Sequence, residues 1–581
     1  MKTSSNLHLS RRTGMALLMT LIVCTVALTI LAAALSLQST STRLTHRAIQ
    51  YDRSVAAAEA ATEKVLSSMT SDYLNGGESL VINNLNIYRA GVPTATDSAY
   101  WNNWVFDDGA SNTAQTYIQR QASTSYVVLG STYAGLQALV STYTIASHAS
   151  DSTSIQKVNP GVYRQIQLAA IPVFQFMMYS SDDMEISCGQ AFTVTGRVHS
   201  NKNLYVEPDS SLTFGSSVTT VVSNIFGRYP LDTRGAPAGS VVYTHPELKL
   251  SPVSALTLPI GASNTPTAIR EIIEPPPTGE SPNSAMGRLR YYNLCDMVVT
   301  VSDTGVVVTS GNYNNFATTV PASEAANFIT TTNSFLDARE GKTVSPIDLN
   351  IGQLTAWSLT NSDLRPSLSG SNLTSVYVLD KRSLPGTKLG AVRVRNGKIL
   401  PPSGLTVATG RPLYVLGDYN QTNSANLGTT NTITTQPASL VADAITILSD
   451  AWTDANSSAA VASRVAASTT INAAFLTGAV DTTLGHYSGG MENFPRFLEN
   501  WGSANICTYN GSMVKMFPSL YATNAWNNNN NVYNPPKRNW AFDLNFNDPT
   551  KLPPKTPSVL KVIPNQWVTL AAGQNTPPAT P

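Results

Sequence analysis

Charge is scarce in this chain: Asp, Glu, Lys and Arg make up 13% of its 581 residues, and the net charge is +1. A protein so weakly charged has no strong field to attract nucleic acid or anionic lipid. We therefore predict no nucleic-acid partner. The chain is instead rich in Ser, Thr, Asn, Gly and Pro, with many Val and Tyr. Such usage is typical of extracytoplasmic proteins built mostly of β-strands.

Cysteine is rare as well, with four residues in the whole chain. Cys24 lies in an apolar run, so that Cys188, Cys295 and Cys507 can form at most one disulfide in the rest of the chain. Their spacings are too wide for a zinc knuckle. The sequence leaves open whether any pair is bonded.

Motifs for catalysis are also missing. The six histidines lie far apart, and none forms an HExxH or similar metal-ligand pair. The sequence contains no GxSxG nucleophile motif and no Gly-rich phosphate loop. We therefore predict that the protein is not an enzyme and carries no cofactor.

Two groups of residues are candidates for a site. Asp182, Asp183 and Glu185 supply the carboxylate oxygens that Ca²⁺ prefers, although a solvated entrance to the next strand explains them more simply. His199 and Asp418 could line a groove on an exposed sheet, or they could only close turns.

An apolar run of 21 residues without charge, 15–35, stands near the N-terminus. As a helix it is long enough to cross a hydrocarbon core of about 30 Å. A cleaved secretory signal would have a shorter apolar region of about 7–15 residues, although LAAALSLQS offers an Ala-rich cleavage motif. Because Lys2, Arg11 and Arg12 precede the run, the positive-inside rule predicts a cytoplasmic N-terminus and an exported body.

Glycine and proline are absent from residues 15–75, and Gly76 and Gly77 then supply a stop. The pattern predicts one helix over 15–76, with the membrane-spanning segment at 15–35. Apolar residues recur at three- and four-residue steps beyond the span, so one face of the helix is predicted to pack on a neighbour.

The N-terminus resembles that of type IV pilin-like proteins, especially the PilX-type minor pilins. The resemblance covers residues 9–75 and rests on the basic leader ending in Gly14, on MALLMTLIV, on the long helix and on SVAAAEAATEKVL. It implies that residues 1–14 are a leader, that a prepilin peptidase cuts the Gly14–Met15 bond, and that Met15 is then methylated.

One departure from the major pilins concerns the fifth mature position, where they carry a glutamate and this chain has Met19. The K-type minor pseudopilin of type II secretion is similar in this respect. The resemblance therefore implies a minor, non-enzymatic subunit of a type IV pilus or type II secretion-like assembly, with a large head at a fibre tip or acting as an adhesin. It also implies other pilin-like subunits and the inner membrane as partners.

The rest of the chain is predicted to be mainly β, which makes the fold α+β. Alternating runs at 139–150 and 161–179 predict paired antiparallel strands in a pilin-like head over 78–180. From 181 to 550, short strands between Asn, Gly and Asp corners favour a parallel β-helix over β-sandwich domains.

Three segments depart from the predicted β pattern. Residues 320–360 and 487–502 are predicted as helical insertions in the β body, and the Pro-rich tail, 551–581, as an extended strap or a disordered end. The alternative function is that of a membrane-anchored β-helix protein that binds or cleaves carbohydrate.

Overall fold

The computed structural model describes residues 13–576 except a few positions: 111, 122, 313, 314, 363, 525 and 527–531. Lys2, Arg11 and Arg12, on which the predicted membrane orientation depends, lie outside the described residues. So does the end of the predicted tail, 577–581.

Helix α1 spans Thr13–Asn83 and confirms the predicted long N-terminal helix. With 71 residues, it is about 105 Å long. The predicted stop is wrong in one respect, because the helix resumes after Gly77 instead of ending there. Gly77 has φ 61° and ψ −169°, a left-handed conformation that glycine adopts without steric cost, so the chain is kinked at this point.

The two parts of α1 have different surroundings. Residues 15–49 are exposed throughout, and the apolar part has a mean hydropathy of 2.6, so that this helix is long and apolar enough to cross a membrane. From Gln50 onward one face is buried, with Ala58, Ala61, Val65 and Met69 all at most 1% exposed. The small alanines allow the sheet described next to approach the helix closely.

An antiparallel sheet packs on this buried face. Its strands are β1 (Trp104–Asp107), β2 (Tyr117–Arg120), β3 (Ser125–Val128), β4 (Gln137–Asp151) and β5 (Gly161–Pro172). The predicted pairing of the runs 139–150 and 161–179 is confirmed over β4 and β5, which pair antiparallel, but the end of the second run, Phe176–Ser180, forms a strand of another sheet. Three short strands, β3, β2 and β1, follow one another along the other edge of β4.

Parallel strands dominate after this sheet. The first ten are β6 (Phe176–Ser180), β7 (Met184–Ile186), β8 (Phe192–Val194), β9 (Arg197–Ser200), β10 (Leu204–Val206), β11 (Ser211–Phe214), β12 (Val218–Thr220), β13 (Asn224–Phe226), β14 (Ser240–Tyr243) and β15 (Lys249–Leu250). Strands β7, β8 and β9 pair in parallel with β10, β11 and β12, and these pair in turn with β13, β14 and β15. The chain therefore forms three layers, each of three strands.

The remaining body strands continue this arrangement. They are β16 (Met297–Ser302), β17 (Gly305–Asn312), β18 (Asn315–Val320), β19 (Ile329–Thr330), β20 (Phe335–Asp337), β21 (Lys342–Asn350), β22 (Ser375–Asp380), β23 (Lys388–Arg395), β24 (Leu405–Ala408), β25 (Leu413–Leu416), β26 (Ala438–Ala442), β27 (Ile445–Leu448), β28 (Thr469–Asn472), β29 (Ala474–Ala479), β30 (Pro495–Phe497), β31 (Ile506–Gly511), β32 (Met513–Pro518) and β33 (Lys537–Phe542). One sheet runs in the order β15-β12-β9-β6-β32-β29-β26-β24-β22-β16-β17-β18, a second contains β21-β23-β25-β27-β30, and a third is β28-β31-β33. A large β-rich body thus follows the N-terminal helix.

Short helices lie between the strands. The α-helices are α2 (Leu85–Arg89), α3 (Pro266–Arg270), α4 (Tyr291–Leu294), α5 (Ala322–Ala325), α6 (Ile351–Thr360) and α7 (Leu364–Ser367). Single 3-10 turns occur at Ala99–Asn103, Ser131–Tyr133, Val173–Gln175, Pro246–Leu248, Glu271–Ile273, Ser424–Asn426, Asp454–Asn456, Val461–Ser463, Met491–Asn493, Leu544–Asn547 and Pro549–Lys551.

The predicted helical insertions are confirmed in part, since α5 and α6 both lie within 320–360. Within 320–341 only α5 is helical, and β19 and β20 both pair with β21. Within 487–502 the chain makes one 3-10 turn and then β30, which pairs in parallel with β27. Phe497 is fully buried at this pairing. Packing against an existing sheet therefore overrides the local helical pattern.

The last strand, β34 (Ser558–Leu570), pairs antiparallel with β5 along its whole length. The sequence predicts the tail as either an extended strap or a disordered end, and over these residues the structure shows an extended strand. Leu560 and Val562 also pack on the cluster between α1 and the sheet. The C-terminus therefore completes the sheet that begins about 450 positions earlier.

A chain truncated after Pro557 loses β34, whereas one truncated after Leu570 keeps it. Loss of β34 leaves the edge of β5 unpaired and removes apolar cover from the sheet. We expect limited proteolysis to cut the first chain within 137–172 at least about tenfold faster than the full chain, and the second at the full-chain rate. Equal resistance of both truncated chains would show that β34 is dispensable.

Candidate functional site

The candidate site is the helix–sheet junction, defined as residues 50–83 of α1 with the sheet beneath them. Arg164 of β5 is its central polar contact. Its Nη2 donates to Glu59 Oε1 at 2.9 Å, its Nη1 lies 2.8 Å from Glu63 Oε1, and its Nε donates to Thr62 Oγ1 at 2.9 Å. The two carboxylates are half-exposed, so these contacts fix the register of the helix more than they stabilise it.

A second set of contacts lies just beyond the kink at Gly77. Arg120 Nε donates to Glu78 Oε1 at 2.7 Å, and the buried Tyr143 hydroxyl donates to the same oxygen at 3.0 Å. Burial acts to raise the pKa of Glu78, but hydrogen bonds from Arg120, Ser141 and Tyr143 outweigh it and lower that pKa. Glu78 is therefore held as a carboxylate.

Further contacts hold the part of α1 that precedes the kink. Asp72 accepts hydrogen bonds from the Tyr88 hydroxyl and from Asn84 Nδ2, and Lys64 Nζ lies 2.6 Å from Asp97 Oδ2. Because side-chain contacts hold α1 both before and after Gly77, the kink is a defined bend.

The exposed part of α1 suits an apolar medium. Between Met15 and Arg43 it carries no charged side chain. The hydroxyls of Thr20, Thr25 and Thr29 donate to backbone carbonyls one turn earlier in the same helix. Such bonds satisfy the hydroxyl groups without water. This segment can therefore lie in a bilayer or against other apolar helices.

The predicted processing residues lie at the start of this segment. Gly14 is in the first turn of α1, and Met15 is exposed. Cleavage between them and methylation of Met15 stay predictions.

The three acidic candidates for a Ca²⁺ site have separate partners. Asp182 Oδ1 lies 2.6 Å from Lys202 Nζ, Asp183 Oδ1 accepts from the Asn203 backbone at 2.9 Å, and Glu185 accepts from Thr482 Oγ1 at 2.8 Å. The contacts shown for each carboxylate are protein contacts that tie neighbouring strands and loops. The Ca²⁺ site and the solvated strand entrance both stay predictions.

Glu185 has the most perturbed environment of the three. Burial raises its pKa from about 4.5 to about 7, against the opposing effects of the Thr482 hydrogen bond and of Lys515. Glu492 and Asp232 raise it further. The carboxyl group is therefore still largely protonated at mildly acidic pH, where an exposed glutamate is ionised.

His199 is buried in the wall between β9 and β12. Its Nδ1 lies 2.8 Å from Thr219 Oγ1, its Nε2 lies 2.9 Å from Asn201 Oδ1, and its ring stacks on Tyr179. Burial lowers its pKa to about 4, so the ring is neutral at physiological pH. It lines a cavity of about 310 Å³ below the loop 131–136, but both its nitrogens have protein partners.

Asp418 follows β25, in a different sheet from His199. Its Oδ1 accepts from the Thr470 backbone at 2.7 Å, and its Oδ2 lies 3.1 Å from Lys398 Nζ. The contacts of His199 and Asp418 have no residue in common, so the structure does not bring the two groove candidates together.

The cysteines answer the question that the sequence left open. Cys188, Cys295 and Cys507 are buried and unbonded, and Cys24 is exposed on α1. Burial raises the pKa of Cys188 and of Cys507 to about 12 and that of Cys295 further. The three body thiols are therefore inert packing groups at neutral pH.

The junction contacts were not predicted from the sequence. Glu59 and Glu63 stand four residues apart, one helical turn, and this spacing indicates a basic partner on the same face. The sequence offers no way to choose Arg164, 101 positions beyond Glu63, among the other basic residues.

Comparison with known proteins adds little to this geometry. No family model matches the sequence, and no curated protein matches it. A solved structure with some similarity is the competence-associated pilin ComZ from Thermus thermophilus, at 9% sequence identity and a TM-score of 0.28, covering 90% of this chain and 97% of that chain. A likeness at that score supports no statement about the fold or function of this chain.

The raised pKa of Glu185 predicts a pH-dependent stability. Between about pH 4.5 and pH 7 the folded chain retains a proton that the unfolded chain has lost, so the stability contributed by this group falls as pH rises through that window. We expect the free energy of unfolding of the wild type, relative to Glu185→Gln, to fall by up to about 3 kcal/mol between about pH 5 and pH 8 in urea denaturation.

The matched control is Asp52→Asn at an exposed carboxylate of α1. Its difference from the wild type should stay constant over the same range. A constant difference for Glu185→Gln as well would contradict the raised pKa.

Proposed function

We propose that this protein is a membrane-anchored, non-enzymatic subunit of a pilin-like assembly, a type IV pilus or a type II secretion-like system. The supporting observation is that one helix has two consecutive environments. Residues 15–49 of α1 are exposed and apolar at their start, and from Gln50 the same helix is built into the core of the sheet.

This continuity favours an assembly subunit over a simple tether. A tether needs only a span of about 20 residues and a flexible linker to the domain it anchors. Here α1 passes from the apolar segment into the junction without an interruption before Gly77, and contacts on both sides fix that bend. Helices that pack side by side in a bundle would therefore impose a definite position on each attached body.

The composition of the apolar segment supports a minor position. Met19 occupies the place of the glutamate that, in the major pilins the N-terminus resembles, meets the amine of a neighbouring subunit. An abundant fibre subunit would lack this pairing at every interface. We therefore place this chain at a tip or initiating position, where a large body is not repeated along the fibre, with its body exported and its N-terminus cytoplasmic.

We further propose that the body is a parallel β-helix. The register supports this, since Met184, Leu204 and Asn224 are direct neighbours on three successive parallel strands spaced by 20 residues. A long body of stacked layers offers extended side surfaces, which suits an adhesin at the end of a fibre.

The proposal that the protein is not an enzyme rests on the contacts of the two groove candidates, His199 and Asp418. Both ring nitrogens of His199 and both carboxylate oxygens of Asp418 are engaged with neighbouring strands or loops. These bonds stabilise the fold and leave little capacity for binding a substrate.

Processing tests the pathway directly. In the native membrane we expect the intact mass of the wild type to correspond to a chain that begins at Met15 with one added methyl group. Gly14→Ala should retain the leader, because the prepilin peptidase requires the glycine in the family that the N-terminus resembles. Thr13→Ala is the neighbouring control and should be processed. An uncut wild type, or cleavage beyond Ala34, would remove the pilin assignment.

The environment of α1 predicts where a soluble fragment must begin. A fragment of residues 46–581 keeps the buried face of the junction, whereas 77–581 loses Val65, Met69 and Tyr73, each worth about 1.5–3 kcal/mol of burial. We expect 46–581 to be folded and monodisperse without detergent in circular dichroism and size-exclusion chromatography. The shorter fragment should aggregate; if it folds equally well, α1 is only a tether.

A further inference from the structure

We infer that one end of the β body docks onto the same end of a second copy of this chain. The surface, called here the terminal layer, consists of β13, β14 and β15. This inference does not depend on the proposed role of α1, because it concerns a surface of the body alone.

The terminal layer has an open strand edge on each of its three sides. Strand β13 pairs with β10, β14 with β11 and β15 with β12, and within the described residues none of the three has a second strand partner. Their outward N–H and C=O groups are therefore available to another chain. Open edges of this kind are templates for pairing between chains.

The inner apolar columns of the body reach the surface at this layer. Phe226 is in register with Val206, yet it is 61% exposed whereas Val206 is fully buried. On the next side the ring of Tyr243 stacks on Phe214, with centroids 5.1 Å apart. The columns of side chains that fill the core in the preceding layers thus end here without a further layer to cover them. Further exposed apolar side chains surround them: Val222, Val242, Leu248 and Leu250.

The loop between β13 and β14 could cover the terminal layer, but its contacts hold it against the side of the body instead. In the segment 227–239, Arg228 Nη1 donates to Ser187 Oγ at 2.8 Å, and Arg234 stacks over the Tyr487 ring at 3.4 Å. Both partners belong to the first layer or lie beside it. The segment is therefore anchored away from the open edges.

The chain after β15 turns back in the same way. Val253 donates to the Thr220 carbonyl at 3.0 Å, and the Leu256 carbonyl accepts from Asn201 Nδ2 at 2.8 Å. These contacts lead the chain along the outer side of β12 and β9. The terminal layer is left bare on this side as well.

The opposite end of the body is closed. There β16 pairs with β22 in parallel but continues into an antiparallel hairpin of β17 and β18, and α5 and α7 pack against these strands. The two ends are therefore not complementary, and stacking of copies head to tail would set parallel edges against a helix-covered hairpin. Pairing of two identical open ends about a two-fold axis avoids this mismatch.

The charges on the terminal layer are self-complementary. Glu247 and Lys249 are exposed there, one of each sign; His245 accompanies Glu247, and Lys249 Nζ lies 4.5 Å from the ring centre of Tyr243. A two-fold axis exchanges the two positions between copies, so each carboxylate can face an ammonium group. Such an arrangement favours a second copy over a partner with a strong charge of one sign.

Light scattering of the full chain in detergent micelles tests the inference. We expect the wild type to form dimers, and Phe226→Lys or Phe226→Glu to raise the dimer dissociation constant at least about tenfold, because the new charge would be buried at the interface. The control variants are Val307→Lys and Leu544→Lys, since these side chains are 52% and 73% exposed elsewhere on the body; they should dimerise as the wild type does.

Crosslinking identifies the partner. In a Cys24→Ser background, Val242→Cys with a short thiol-to-thiol reagent should yield a pair of identical chains, and Val307→Cys should not. Three results would overturn the inference: a monomeric wild type, a dimer that Phe226→Lys and Phe226→Glu leave intact, which would place the contact on α1 or elsewhere, or crosslinking of Val242→Cys to a different protein in the native membrane.

Discussion

The packing of one helical face on one sheet is the contact on which the structure depends. Ala58, Ala61, Val65 and Met69 bury that face, and the same helix continues from there into an exposed apolar segment long enough for a membrane. Because an α-helix transmits bending and rotation over its length, the position of the apolar segment is tied to that of the sheet. Arg164 and the contacts around Gly77 fix the register and the bend, while the apolar contacts supply the greater part of the stabilisation.

Parallel strand pairing is the second constraint, and it explains why polar side chains are buried and hydrogen-bonded in the body. In stacked parallel strands each layer must offer its backbone groups and its inner side chains to the next. Polar side chains at the corners therefore satisfy buried groups: Asp443 accepts from Arg270 and Ser519 while fully buried, and His199 bonds to Thr219 in the next layer. The stacking ends at Phe226 and its neighbours. Within the described residues, the strand edges there have no further strand to pair with, and the apolar side chains have no further layer to cover them.

At the helix–sheet junction, sequence patterns predicted the helix but not the side-chain contacts that hold it on the sheet. The apolar steps of α1 and the alternation in β4 and β5 are local signals, and both appear in the structure. Arg164 and Tyr143 could not be assigned in advance, because a side chain's partner across a helix–sheet contact depends on the rotation of the helix. Asp182, Asp183 and Glu185 are close in sequence, but each is directed to a different neighbour by the strand and loop around it.

The sequence by itself determined the long helix, since 61 residues without glycine or proline can propagate one, and it determined the β character of the body through its short branched runs. Only the tertiary structure decided where β34 pairs, that 487–502 contains a strand in place of a helix, and that the cysteines stay unbonded. Local propensity acts over a few residues, whereas strand pairing joins Leu570 to Gly161. Such contacts are chosen by the burial that the whole fold makes available, and a linear pattern does not contain that information.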